Sequence, residues 1–217
     1  MKSVNNVIVG VLGIILFAVV PVQAGFIQAV GVTQAGTASQ VLPVGNLIIN
    51  ATSSAFVQTN ATDFWLAGTD GTANPQLLVT FDLGAKYDVS SLYGWVYNYP
   101  ESVPGQGWRQ WVRSVATFNL SGSADGVNFT PVAASLSLPY PNSDANATVE
   151  TRAIAATGVQ YLRMEVLSSV EGPLGTWLNY GLGEVAFEGT PVPEPGTLLM
   201  TGACLLGLLC RGRRKRA

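Results

Sequence analysis

The sequence contains no histidine, and its only two cysteines, Cys204 and Cys210, lie near the C-terminus. The absence of histidine removes the most common general base, the usual activator of a nucleophile and the most common zinc ligand. The rest of the chain has no cysteine, so a folded domain there has no disulfides and depends on its apolar core. Chemistry that needs histidine is therefore excluded.

Basic residues are scarce outside the two ends of the chain. Of the 11 lysines and arginines, one is Lys2 and five lie in the last seven positions. All 13 acidic residues lie between Asp63 and Glu194, where only five basic residues accompany them. The middle of the chain is distinctly acidic and would be repelled by a phosphate backbone, so we expect no nucleic-acid partner.

Helical periodicity is absent between Gly25 and Gly189, where short alternating runs are broken by Gly, Asn, Asp and Pro. In QLLVTFDLG (76–84), every second residue from Leu77 to Leu83 is apolar. The same alternation places further residues on buried faces: Ala116, Phe118, Leu120, Leu162, Met164, Val166, Val185 and Phe187. Asp125-Gly126 predicts a hairpin turn. The pattern predicts an all-β antiparallel sandwich or barrel whose sheets each have one wet face.

The N-terminal segment 1–24 is typical of a signal peptide. Lys2 precedes an apolar stretch from Val7 to Val20, and Val22-Gln23-Ala24 forms a small-x-small site for signal peptidase after Ala24. The alternative is a retained N-terminal transmembrane helix, but the stretch is shorter than the roughly 20 residues that a full span needs.

The C-terminal segment begins with a proline-flanked glutamate, Pro193-Glu194-Pro195. An apolar run of 14 residues, Thr197–Cys210, follows and would span about 21 Å as a helix, against a hydrocarbon core of about 30 Å. The chain closes with a basic cluster: Arg211, Arg213, Arg214, Lys215 and Arg216. We expect a short transmembrane helix (197–210), a cytoplasmic tail (211–217) and a domain held on the opposite side of the membrane.

In this order the three parts, with Val192 before them, resemble a PEP-CTERM sorting signal. The resemblance implies processing by exosortase, an integral-membrane enzyme of Gram-negative bacteria. It also implies transient insertion in the inner membrane, secretion across it, and release or attachment at the cell surface or extracellular matrix. An ordinary single-span anchor is the alternative.

The middle of the chain resembles the discoidin-like family, also called F5/8 type C or galactose-binding-like. The markers, in order, are Trp65, Asp82-Leu83-Gly84, the Ser-x-Asp-Gly-x-x-Phe turn (123–129), Tyr161-Leu162-Arg163 and Gly181-Leu-x-Glu-Val. The resemblance implies an eight-stranded jelly roll over residues 25–189, followed by a Pro-rich linker over 190–196. The disulfide usual in this family is missing, which favours its bacterial, carbohydrate-binding branch.

Two Gly- and Pro-broken loops are candidates for ligand binding, because exposed aromatic rings stack on sugar faces. The candidate ligand-binding residues of loops 97–111 and 171–181 are Tyr97, Asn98, Tyr99, Trp108, Arg109, Trp111, Trp177 and Asn179. The alternative is that these aromatic rings pack over the end of the barrel. Trp65 and Trp95 are expected in the core.

No cofactor is required by any motif in the sequence. The family resemblance implies a possible structural calcium, with Asp63, Asp70 and Glu184 as the corresponding oxygen donors. The alternative is that these acids only form turns.

The sequence favours a non-catalytic surface module that binds extracellular polysaccharide. A structural matrix or biofilm protein that acts by self-association is the main alternative. An enzyme such as a two-carboxylate glycosidase is disfavoured, because no acidic pair forms a recognisable constellation.

Overall fold

A computed structural model describes residues 23–48, 64–68, 76–97, 113–138, 149–170, 172–173 and 179–193. Apart from its last two residues, the predicted signal peptide lies outside these ranges, as do the predicted transmembrane helix and the basic tail. Within these ranges, no helix is both long and apolar enough to cross a membrane.

The described ranges contain ten strands and one short 3-10 helix, Val44–Ile48. The strands are β1 (Gly25–Ile27), β2 (Gly31–Gly36), β3 (Ser39–Leu42), β4 (Trp65–Gly68), β5 (Leu77–Val96), β6 (Val115–Ser123), β7 (Thr130–Ser137), β8 (Val149–Ser169), β9 (Gly172–Pro173) and β10 (Asn179–Pro191).

All pairings between these strands are antiparallel, in the order β3-β4-β10-β5-β8-β6-β7. β1 joins β10, β2 joins β5 and β9 joins β8. The all-β antiparallel fold predicted from the sequence is therefore confirmed.

The long strands β5 and β8 form a ribbon that folds over on itself into two facing layers. The register of the ribbon shifts between Asp82 and Tyr87, which face Tyr161 and Val159. Gly84 and Gly158, with φ of 78° and 64°, lie at this corner in the left-handed region that favours glycine. Such bulges bend strands, and here they let one ribbon contribute to both layers.

The core lies between the two arms of the ribbon and is closed by aromatic contacts. Phe81 from the first arm meets Phe187 of β10 edge-on, with ring centroids 5.4 Å apart. The predicted inward face of β5 is confirmed, since Leu77, Val79 and Phe81 have no exposed surface. The predicted inward residues of β8 are buried as well.

The prediction that one face of each strand is exposed to solvent is wrong for β10. Glu184 and Ala186 are as fully buried as Val185 and Phe187, because a second apolar layer covers the outer face of this strand. Trp95 packs against Ala186 there. At the start of β6, Val115 is buried and the predicted Ala116 is only partly buried, because the register shifts between Val115 and Thr117. The predicted Phe118 and Leu120 are buried.

The predicted Asp125-Gly126 turn joins β6 to β7 and is confirmed. Gly126 has a φ of 74° and lies under the Tyr161 ring. Phe129, which ends the turn, lies 3.6 Å from the Arg163 guanidinium carbon, measured to the ring centroid. Two of the markers that carry the family resemblance are therefore in direct contact.

The sandwich has two ends. The loop end carries Tyr97, Ser114, Val170 and Asn179, and the terminal end carries Gly25, Gly84–Lys86, Gly158 and Val192. Within β10 these ends are separated by the length of the strand, because Asn179 pairs with Gly68 while Gly189 pairs with Gly25.

Candidate functional site

Ser114 joins three segments at the loop end. Its hydroxyl accepts a hydrogen bond from the Tyr97 backbone N–H, with a nitrogen-to-oxygen distance of 3.1 Å. Its carbonyl accepts one from the Val170 N–H at 3.0 Å. Ser114 also forms a parallel bridge to Gly181, and it has no exposed surface. This buried serine therefore connects residues that are distant in sequence.

The junction brings together the ends of both predicted binding loops. Tyr97 and Arg113 flank the first loop, and Val170 and Asn179 flank the second. The remaining predicted residues lie outside the described ranges: Asn98, Tyr99, Trp108, Arg109, Trp111 and Trp177. The described residues on either side of both loops therefore lie at one end of the sandwich, around Ser114.

Gly181 allows the close approach on which the junction depends. A Cβ atom at this position would lie 2.7 Å from the Trp65 carbonyl oxygen and 2.7 Å from the Tyr97 ring. Real side chains do not tolerate such distances, so only glycine fits without displacing the neighbouring strand. The sequence did not identify Gly181 or Ser114 as a site residue. The Gly-Leu-Gly run (181–183) is the signal that could have found Gly181, because its two glycines leave strand positions without side chains.

Tyr97 has a packing role. It is 2% exposed, and its ring meets Phe64 edge-on with centroids 5.1 Å apart. Its prediction as a sugar-stacking residue is not supported by this placement, because stacking needs an exposed ring face. Asn179 is half-buried at the first position of β10. Trp65 and Trp95 are fully buried, as expected.

The fit of the proposed calcium ligands differs between the three acids. Glu184 is fully buried and lies where the register of β10 shifts. Its neighbour Gly183 lies against Phe64, which directly follows Asp63. Gly68, two residues before Asp70, pairs with Asn179. Glu184 lies five positions after Asn179, which is about 17 Å along a strand.

The chain positions next to Asp63 and Glu184, Phe64 and Gly183, are thus in contact. Asp63 and Asp70 themselves lie outside the described ranges. Within the part of the chain that the structure describes, no group of three potential ligands is brought together.

Two ionisable groups of the described ranges with perturbed pKa values, Asp125 and Tyr93, lie away from the loop end. Hydrogen bonds from the Asn128 and Val127 backbones, from the Asn128 side chain and from Ser123 hold the pKa of Asp125 well below its usual range. The Tyr93 hydroxyl donates to Glu188 at 2.6 Å, which raises the pKa of Tyr93. Both groups stabilise local structure, and neither faces the loop junction.

Two shallow grooves occur at the terminal end. One, of about 290 Å³, is lined by residues that include Ala24, Asp88 and Thr190. The other, of about 280 Å³, follows the Asp125 turn and reaches Val159. No aromatic ring lines either groove, so neither provides a stacking surface for a sugar.

Comparison with solved structures defines the class of fold. The chain is similar to a fragment of a candidate chitobiase from Bacteroides thetaiotaomicron, with a TM-score of 0.52 and 17% identity over 81% of this chain and 98% of that one. It is also similar to the family 32 carbohydrate-binding module of C. perfringens NanJ in complex with galactose (TM-score 0.48, 15% identity, 76% and 99% covered).

A third similar structure is the CBM32 of AlyQ in complex with 4,5-unsaturated mannuronic acid (TM-score 0.48, 20% identity, 75% and 97% covered). At these identities the similarity concerns the fold. The predicted all-β fold is consistent with this similarity, and the predicted flanking helices lie outside the described ranges.

The C-terminal signal is established separately. Residues 191–215 match the PEP-CTERM protein-sorting motif, as the sequence predicted. No curated protein matches the chain. The chain therefore combines an antiparallel all-β fold with a C-terminal sorting motif that implies export and surface attachment.

Proposed function

We propose that this protein is an exported, non-catalytic module that binds extracellular polysaccharide through the loop end of its sandwich. The observation that supports the proposal is the junction at Ser114, which brings the residues flanking both aromatic loops to one end of the sandwich. Besides the buried Tyr97, the candidate aromatic side chains of these loops are Tyr99, Trp108, Trp111 and Trp177. Two loops with a common base can present their rings to one glycan chain.

Processing determines where the module acts. We propose that signal peptidase cuts after Ala24 and that exosortase removes the tail near Pro193-Glu194-Pro195. The match to the sorting motif supports the second step. The product would then lie at the cell surface or in the extracellular matrix.

A purely structural role through strand-to-strand assembly is disfavoured at the edge strand β7. Pro131 lies in this strand, Ser135 has a φ of 51°, and the register with β6 shifts twice. Such features prevent an edge strand from pairing with another chain. Self-association through this edge is therefore not the function that the fold supports best.

We also propose a structural calcium near Asp63 and Glu184. Glu184 supplies a fully buried carboxylate next to Gly183, which lies against Phe64, and Ca²⁺ prefers carboxylate and carbonyl oxygens. The ion would fix the beginning of β4 against β10. It would have no catalytic role.

A polysaccharide pull-down with the processed protein tests the binding proposal. We expect retention on one or more polysaccharides, including those of the host. Retention should be lost when Trp108, Trp111 and Trp177 are replaced by alanine together. Val127→Ala is the matched control, because Val127 is 78% exposed on the turn at the terminal end. Failure to bind any polysaccharide, or unchanged binding by the triple variant, would contradict the proposal.

A further inference from the structure

Both ends of the folded domain leave it at the terminal end. β1 begins at Gly25, which pairs with Gly189 of β10. Because the two strands are antiparallel and adjacent strands lie about 4.8 Å apart, the start of β1 lies beside the end of β10. The two segments that are expected to enter the membrane, before Ala24 and after Gly196, therefore extend from neighbouring positions.

The sheet holds the chain almost to the sorting motif. The Val192 N–H donates a hydrogen bond to the Lys86 carbonyl at 2.9 Å, after Pro191 has paired with Tyr87. The apolar run begins five residues later, at Thr197. At most about 3.6 Å per residue, these five residues reach no more than about 18 Å.

The N-terminal side is equally short. The predicted apolar stretch finishes at Val20, five residues before the first paired residue, Gly25. Its reach is again limited to about 18 Å. A domain tied at one end by a segment this short cannot turn freely, because rotation would move the attachment point away from the membrane surface.

The loop end lies far from the C-terminal attachment point. β10 runs from Asn179 at the loop end to Pro191 at the terminal end, and its 13 residues extend over about 40 Å. This distance is about twice the reach of the segment between Val192 and Thr197. The Ser114 junction consequently lies far from the position at which the C-terminal segment leaves the domain.

We propose that the terminal end of the sandwich is a membrane-facing surface. In the precursor that still carries its tail, this end lies against the outer face of the inner membrane, and the loop end faces away from it. The candidate binding loops are accessible before the tail is removed, so exosortase releases a module whose binding end was already free. The orientation depends on insertion of residues 197–210 and not on any carbohydrate ligand.

Cysteine accessibility in the full-length precursor tests this orientation. Cys204→Ser and Cys210→Ser give a background without cysteine, into which Lys86→Cys or Gln76→Cys is introduced. Both positions are exposed: Lys86 lies at the terminal end, and Gln76 lies at the loop end, next to Thr37. Spheroplasts without exosortase retain the precursor, and a large polyethylene glycol maleimide is added from outside.

We expect Lys86→Cys to react several-fold more slowly in the membrane-held precursor than in the same variant after exosortase processing. Gln76→Cys should react at the same rate in both forms. Ala85→Cys is a second terminal-end variant, in case Lys86→Cys does not fold.

Three results would overturn the proposal. These are equal rates for the terminal-end variants in both forms, equal slowing at both ends, and a precursor that does not sediment with the membrane. No glycan takes part in the assay, so a failure here is separate from a failure of the polysaccharide pull-down.

Discussion

Replacing Ser114 with alanine tests whether one buried hydroxyl organises the loop end. The substitution removes the acceptor at 3.1 Å from the Tyr97 N–H while leaving the Ser114 backbone bonds in place. Both residues are almost completely buried, so water cannot replace the lost acceptor without rearrangement. A buried donor deprived of its acceptor costs about 1–3 kcal/mol.

For a domain of this size, each kcal/mol corresponds to roughly 2–4 °C in Tm. We therefore expect Ser114→Ala to lower the free energy of unfolding by about 1–3 kcal/mol and Tm by several degrees. Urea denaturation of the processed protein at pH 7 measures the first quantity, with the slope m showing whether unfolding stays two-state.

Ser90→Ala is the matched control, because the exposed Ser90 hydroxyl donates to the Glu188 carbonyl at 3.3 Å on the surface. Its effect should stay within about 0.5 kcal/mol. Polysaccharide binding by Ser114→Ala should also weaken, since the two loops lose a shared attachment. Equal stabilities of the two alanine variants would refute the role that we assign to Ser114.

Three further predictions concern the turns and the acidic residues. Gly158→Ala should lower the free energy of unfolding by about 1 kcal/mol, because its φ is positive while the space around it is open. Gly126→Ala should cost more, because its Cβ would also lie 3.2 Å from an aromatic ring. Asp125 has a pKa below that of the unfolded chain, about 3.9, so its contribution to stability is present above about pH 4 and is lost as the pH falls. Asp125→Asn should therefore show a shallower loss of stability between about pH 5 and pH 2 in urea titrations. Calcium at about a hundred times its Kd should raise Tm by about 5–10 °C, and Glu184→Gln should abolish this rise while Glu150→Gln leaves it unchanged.

Each of these expectations has a contrary result. Equal costs for the two glycine variants would show that the ring above Gly126 moves aside freely. A pH profile of Asp125→Asn parallel to that of the unmodified protein would show that other carboxyl groups account for the acid sensitivity. A Tm that responds neither to calcium nor to a chelator would remove the calcium proposal.

Much of the fold could be predicted because alternation in a strand is a local property. Each residue of QLLVTFDLG faces opposite to its neighbour, so the inward set follows from the sequence alone. The prediction was wrong where a second layer covers the other face, as at Ala186. It was also wrong where a register shift moves the pattern, as at Ala116. Both causes lie in other strands and leave no trace in the local pattern.

For the candidate site, sequence identified the two loops through their Gly and Pro breaks and their aromatic residues. It did not show that the loops share a base, and it misjudged Tyr97, whose ring packs on Phe64. An exposed and a buried tyrosine look alike in sequence, because burial depends on contacts with residues far along the chain.

The sequence by itself determined the all-β class, the disulfide-free acidic domain and the sorting signal. A sorting signal is a linear motif, and composition and strand alternation need no folded partner. Only the tertiary structure decided that both ends of the domain leave on one side and that the residues flanking both candidate loops lie on the other. That arrangement depends on the fold-over of the β5/β8 ribbon and on contacts such as Ser114 with Tyr97, Val170 and Gly181. Gly181 lies 67 positions after Ser114 in the chain, and only folding brings such distant residues within hydrogen-bonding distance.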